Sequence, residues 1–73
     1  QQIEIAEKEH IVQMAIQNLP ERQKIALILF RYENLSYKEI AAVMEISLSA
    51  VESLLHRAKD NLTKRLLPAK KYL

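Results

Sequence analysis

The sequence predicts an all-α fold, a four-helix domain whose last two helices form a C-terminal helix-turn-helix. Three observations carry this. Gly is absent and aromatics make up only 5% of a chain that is 49% hydrophobic, so the apolar content is aliphatic and no glycine turns mark off strands. Apolar residues recur at three- and four-residue spacing along most of the 73 residues. The stretch Ser36 to Leu55, SYKEIAAVMEISLSAVESLL, reads as two helices on either side of a tight turn.

Residues 2 to about 18 form the first predicted helix, with Ile5, Val12, Ala15, Ile16 and Leu19 on one face and Glu4, Glu7, Lys8, Gln13 and Gln17 on the other. Leu19 is held extended by the proline after it. Pro20 suits the first turn of a new helix, with Glu21 favourable near its positive end. This second helix is expected from Pro20 to about Tyr32, burying Leu27 and Phe30 with Ala26 or Ile25, and Asn34 is its expected left-handed stop.

Ser36 and Glu39 have the spacing of a capping box, and Leu35 and Ile40 that of a hydrophobic staple, so the third helix starts at Ser36 or Tyr37 and runs to Met44. Ile40, Ala41, Met44 and Ile46 face Val51 and Leu54 of the fourth helix. Four residues from Ala41 to Glu45 and six more to Val51 match a helix-turn-helix about residues 36–66. The turn position that favours Gly holds Glu45, at a cost of about 1–2 kcal/mol. The fourth helix begins after Ser47 or Ser49 and meets no breaker before Pro68; its stripe is Val51, Leu54 or Leu55, Ala58, Leu62 and Leu66. Ser47 fits the helix-turn-helix geometry and is preferred as the cap, whereas Ser49 would pair with Glu52 in a capping box. Residues 68–73, PAKKYL, are expected to fray.

A chain of this length supports one small domain, residues 1–73, with a modest stability margin and no room for a cleft walled by separate layers. Its start without Met suggests a piece of a longer protein. Without Cys there is neither a disulfide framework nor a thiolate metal site, and His10 and His56 have no second His or Cys at ligand spacing, so no metal is expected. The longest apolar run, Ile25 to Phe30, is too short to span a bilayer, and QQIEIAEKEH lacks the blocks of a signal peptide, so no membrane partner is expected. No nucleophile, base and orienting acid can be assembled, and no glycine loop could cradle a nucleotide; no catalytic residue, enzyme activity or cofactor is expected.

The net charge of +2 is unevenly spread. Residues 1–36 hold four basic against five acidic side chains, and residues 37–73 hold seven against four, concentrated in Arg57, Lys59, Lys64, Arg65, Lys70 and Lys71. Positive charge just beyond the presented helix suits a phosphate partner; a mixed solvated face has the same composition. On the solvent side of the fourth helix, Glu52, Ser53, His56 and Arg57 have the chemistry to contact base edges. Glu52 can accept from a cytosine amino group, Ser53 is short and adaptable, His56 can stack or bond, and Arg57 can reach guanine or phosphate, each discriminating by about 1–3 kcal/mol. Lys38, Lys59 and Lys64 are placed to meet phosphates. The competing readings are local: Glu52 as a cap partner, Arg57 paired with Asp60, and Tyr37 as a helix-start packing residue.

The pieces LPERQ at Leu19 to Gln23, LSYKEIA at Leu35 to Ala41, and the IS...V.S.LHRAK...L string from Ile46 to Leu62 resemble the C-terminal DNA-binding domain of bacterial RNA polymerase sigma factors, of the extracytoplasmic-function group. The resemblance implies a cytoplasmic protein whose partners are double-stranded promoter DNA, bound at the minus-thirty-five element, and the RNA polymerase core, whose β flap helix is gripped by an apolar concavity on the first helices. An anti-sigma factor is a further partner it allows. It implies base-facing roles for Glu52, Ser53, His56 and Arg57 and phosphate-facing roles for Ser36, Tyr37, Lys38 and Ser49. The chain departs from many relatives in holding Glu52 where they have a basic residue, Leu54 where they have Arg, and Ala50 where they have Thr. Two other readings are a helix-turn-helix output domain of a dimeric transcriptional regulator, which would need operator symmetry, and an interaction module that has lost DNA contact. LPERQ and the long fourth helix weigh against the first of these.

Overall fold

The computed structural model describes residues 5–66, which form four helices: α1 (Ile5–Gln17), α2 (Glu21–Arg31), α3 (Tyr37–Met44) and α4 (Leu48–Arg65). No strand occurs among them, and the all-α expectation holds. None of these helices is long and apolar enough to cross a membrane. The predicted start of the first helix at Gln2, the tail 68–73 and the cations Lys70 and Lys71 lie outside the described residues.

Local chemistry sets the boundaries. Pro20 is the N-cap of α2 rather than part of its first turn: its backbone is extended (φ −54°, ψ 148°) and its carbonyl accepts from the Lys24 amide at 2.9 Å. Asn34 is left-handed as expected (φ 58°), and past it the Leu35 amide returns to the Leu29 carbonyl at 3.1 Å. The capping box at the start of α3 forms. Ser36 Oγ accepts from the Glu39 amide at 3.1 Å, and Glu39 Oε1 accepts from the Ser36 amide at 2.8 Å.

The turn between α3 and α4 is a Schellman motif. Glu45 is left-handed (φ 58°, ψ 47°), the Ile46 amide reaches the Ala41 carbonyl at 3.0 Å and the Glu45 amide reaches that of Ala42 at 3.3 Å. Ser47 then caps α4, its Oγ accepting from the Ala50 amide at 3.1 Å. The alternative cap at Ser49 is excluded: α4 has already begun at Leu48, so Ser49 lies inside the first turn and Glu52 completes no capping box.

One apolar cluster joins all four helices. Val12, Ala15, Ile16, Leu19, Ala26, Leu27, Ile40, Val51, Leu55, Ala58 and Leu66 are buried, and Leu35, Ala41, Met44, Ile46, Leu54 and Leu62 pack around them. The structure thus chooses Leu55 over Leu54 and Ala26 over Ile25 for the interior. Two core expectations need correction. Ile5 is exposed, because it lies at the outer end of α1, more than a turn before the first buried residue, Val12. Phe30 is only half-buried, with one face left to a lysine of α4.

Holding a side chain with a Cβ in the left-handed region at residue 45 carries a cost that glycine avoids. Glu45→Gly is therefore expected to stabilise the fold by about 1 kcal/mol, read as a higher urea midpoint with unchanged slope; a lower midpoint would count against this account of the turn.

Candidate nucleic-acid interface

The inner face of α4 is fixed by Val51, Leu55 and Ala58, which are at most 1% exposed. Helical spacing then dictates the opposite face. Ser49, Ser53, His56, Asp60 and Lys64 follow one another at three- and four-residue steps along the outer side, with Arg57 beside His56 and Glu52 and Lys59 on the flank, and all are exposed. On the flank of α4, Asn61 Nδ2 donates to Gln23 Oε1 of α2 at 2.8 Å in a half-buried contact, which holds the rotation of α4 about its own axis.

Two of the phosphate candidates meet around Phe30. Tyr37 packs edge-on against it with ring centroids 5.6 Å apart, and Lys59 Nζ stands 5.1 Å from its centroid on α4. The Phe30 ring thereby ties the start of α3, with Ser36 and exposed Lys38, to the middle of α4 and holds the Lys59 ammonium by a cation–π contact. Tyr37 is half-buried, in keeping with its reading as a packing residue.

α1 and α2 enclose a groove of about 300 Å³ lined by His10, Gln13, Met14, Ile16, Gln17, Ile28 and Tyr32. Met14 is 53% exposed there, and Ile25 lies exposed on the turn of α2 before Ile28. The groove is braced by a network: Arg31 Nη2 donates to Glu9 Oε1 at 2.9 Å, the Tyr32 hydroxyl donates to the other carboxylate oxygen, and Arg31 Nε donates to that hydroxyl at 3.2 Å. The hydrogen bond from Tyr32, then that from Arg31, holds the Glu9 carboxyl below the usual carboxylate range. Burial, then the bond to Glu9, pushes the Tyr32 phenol up.

Helix-turn-helix spacing with an exposed outer α4 face is common to many regulators; the sequence comparison separates them. Residues 9–62 match the family described as Sigma-70, region 4. The chain belongs to this family. Over 62 residues, 85% of the chain, it is 42% identical to the RNA polymerase sigma-H factor of Pseudomonas aeruginosa, of which it covers 32%. Over 63 residues, 86% of the chain, it is 38% identical to the ECF RNA polymerase sigma-E factor of Haemophilus influenzae, covering 33% of that protein. The same-named factor of Escherichia coli is 36% identical over 62 residues, 85% of the chain and 32% of its own length. The chain spans about a third of the length of the curated relatives it matches. The expected sigma-factor C-terminal domain of the extracytoplasmic-function type is borne out by the family match and these relatives.

Within this region 4 domain the side chains expected to face DNA differ in their freedom. Ser53, His56 and Arg57 are exposed, and among the described residues Arg57 has no ion-pair partner; the Arg57–Asp60 pair considered from sequence does not form. Asp60 instead takes Lys64 one turn on, Oδ2 to Nζ 3.2 Å, because that i,i+4 pair lies directly along the helix axis. Both are exposed, so the pair contributes at most about 1 kcal/mol and yields readily to a competing anion. Ser49 Oγ lies 3.2 Å from Ser47 Oγ. Glu52 is exposed and caps nothing, so the capping role that competed with base contact is removed.

Sequence reasoning missed two contacts between helices. Gln23 was noted only as the end of LPERQ, and Asn61 only borders the apolar stripe beside Leu62; nothing local pairs them. Nothing in the sequence singles out Glu9, Arg31 and Tyr32 as a group.

The groove brace should titrate. With its folded value depressed, Glu9 contributes stability that is complete above the ordinary carboxyl range and is lost as the pH falls through the depressed value. Glu9→Gln should lower the Tm at about pH 7, with the gap from wild type narrowing as the pH falls through the depressed Glu9 value; a gap independent of pH would remove the charge from this account.

Proposed function

We propose that this chain is the promoter-recognition module of an alternative sigma factor. Its α4 enters the major groove of the upstream promoter element as duplex, and the module directs RNA polymerase to that element. It acts by binding and not by catalysis, in the cytoplasm with the polymerase. The observation that carries the reading is the outer face of α4: Glu52, Ser53, His56 and Arg57 stand exposed on a helix whose inner face is buried, and none is spent on a cap or an ion pair among the described residues.

The roles follow from reach and charge. Arg57, with a guanidinium fork, suits guanine O6 and N7 or a phosphate; His56 and Ser53 suit adjacent edges; Glu52 accepts only, and so selects a cytosine or adenine amino group. Ser36, Tyr37 and Lys38 at the start of α3, with Ser49, Lys59 and Lys64 on α4, approach the phosphates on either side and set the register. The groove between α1 and α2 suits an apolar helix, and the β flap of the polymerase is its proposed occupant. An anti-sigma factor would compete for the same apolar surface.

Two substitutions test the assignment. Arg57→Ala should weaken binding to the preferred duplex about tenfold or more in a polarisation titration, and Lys64→Ala, whose ammonium is already shared with Asp60, should do less; equal losses would overturn the distinct roles. Glu52→Lys should raise affinity for any duplex, steepen the salt dependence and change the preferred sequence. An unchanged preference would remove Glu52 from the reading face.

A further inference from the structure

We infer that Leu48 is a specificity residue that reads a thymine methyl group, one helical turn from the base that Glu52 contacts; this rests on the entry of α4 into the major groove proposed above. Leu48 is the first residue of α4, and 42% of its surface is exposed. A helical side chain leans toward the N-terminus, so that of the first residue projects past the helix end, and this end of a recognition helix carries its base-contacting residues.

The neighbours of Leu48 are turned to local work. Ser47 Oγ holds the Ala50 amide at 3.1 Å, and Ser49 Oγ lies 3.2 Å from Ser47 Oγ, so the two hydroxyls beside Leu48 are directed at the cap and each other. Every other exposed side chain of α4 from Leu48 to Arg57, namely Ser49, Glu52, Ser53, His56 and Arg57, is polar. Glu52, Ser53, His56 and Arg57 can together report donors and acceptors in the groove. None is suited to the one apolar mark there, the C5 methyl group of thymine, which distinguishes that base without a hydrogen bond.

The other strongly exposed aliphatic near the turn is Val43, at 59%, but it belongs to α3, the helix that crosses the sugar-phosphate backbone in this motif. Leu48 and Glu52 are four residues apart on one side of α4 and about 6 Å apart along its axis, close to two base-pair steps. The pair therefore reads a thymine methyl and an amino-bearing base within about two steps of each other, a combination that neither side chain specifies alone.

Removal of one methyl group from the DNA tests this. Duplexes enriched by the chain from a random library at low salt are resynthesised with each thymine replaced in turn by deoxyuridine, and affinities are compared for wild type, Leu48→Ala and Leu48→Met. Wild type should lose about fourfold at one thymine, the worth of a single buried methyl. Leu48→Met should keep most of that sensitivity, and Leu48→Ala should bind the thymine and deoxyuridine duplexes equally. Sensitivity at no thymine, or sensitivity unchanged in Leu48→Ala, overturns the inference and leaves the proposed function standing; failure to enrich any duplex overturns both.

Discussion

The fold depends on the burial of one face of α4. Val51, Leu55 and Ala58 are sealed against Ile16, Leu27 and Ile40 from the three other helices, and no other element contributes to the interior over so many consecutive turns. Each large aliphatic side chain moved from water into that cluster is worth about 1.5–3 kcal/mol, and in a chain of this size few are available. An 18-residue helix anchored along one side has no freedom to rotate. The same contacts that stabilise the domain therefore aim Ser53 and Arg57 away from it, and stability and presentation cannot be varied independently.

Anchoring fixes the roll of α4 but not its position relative to α3; that is the work of the turn. Glu45 in the left-handed region lets the Ile46 amide return to Ala41 and tips Ile46 back toward the core, while Ser47 starts α4 at once. Only three residues, Glu45 to Ser47, separate the two helices. A junction so short, with each end closed by hydrogen bonds, transmits the placement of α3 to α4 with little play. Phe30 reinforces it from outside, with Tyr37 of α3 at its edge and Lys59 of α4 over its face.

What was legible in the sequence was whatever depends on neighbours a few residues away. The box at Ser36 and Glu39, the left-handed stop at Asn34 and the cap at Ser47 are local hydrogen-bond chemistry, and each stands where the spacing put it. The choice between Leu54 and Leu55 was not legible, because their positions on the stripe differ by one residue and only the direction of the packed helices decides which is enclosed. Gln23 with Asn61, 38 residues apart, and Glu9 with Arg31 and Tyr32, more than 20 apart, were equally hidden: polar pairs across helices leave no period in the sequence. The outer face of α4 was readable because it is the complement of the buried stripe.

Charge limits how strongly this face holds DNA unaided. Along α4, Lys64 already shares its ammonium with Asp60, Lys59 leans on Phe30, and Glu52 adds a negative charge where phosphate attraction would call for a positive one. Few counterions would be released on binding, and counterion release supplies most of the affinity that is indifferent to sequence. Such a face would discriminate well and grip poorly. On the proposed reading the α1–α2 groove offers the remedy, since a second attachment there would convert DNA binding into an intramolecular event at high effective concentration. Because Glu9, Arg31 and Tyr32 brace that groove while Gln23 locks α2 to α4, an occupant of the groove would hold the reading helix through a rigid path. On the proposed reading, weak intrinsic affinity is an advantage: the domain would engage promoters when carried by a larger partner and leave them when alone.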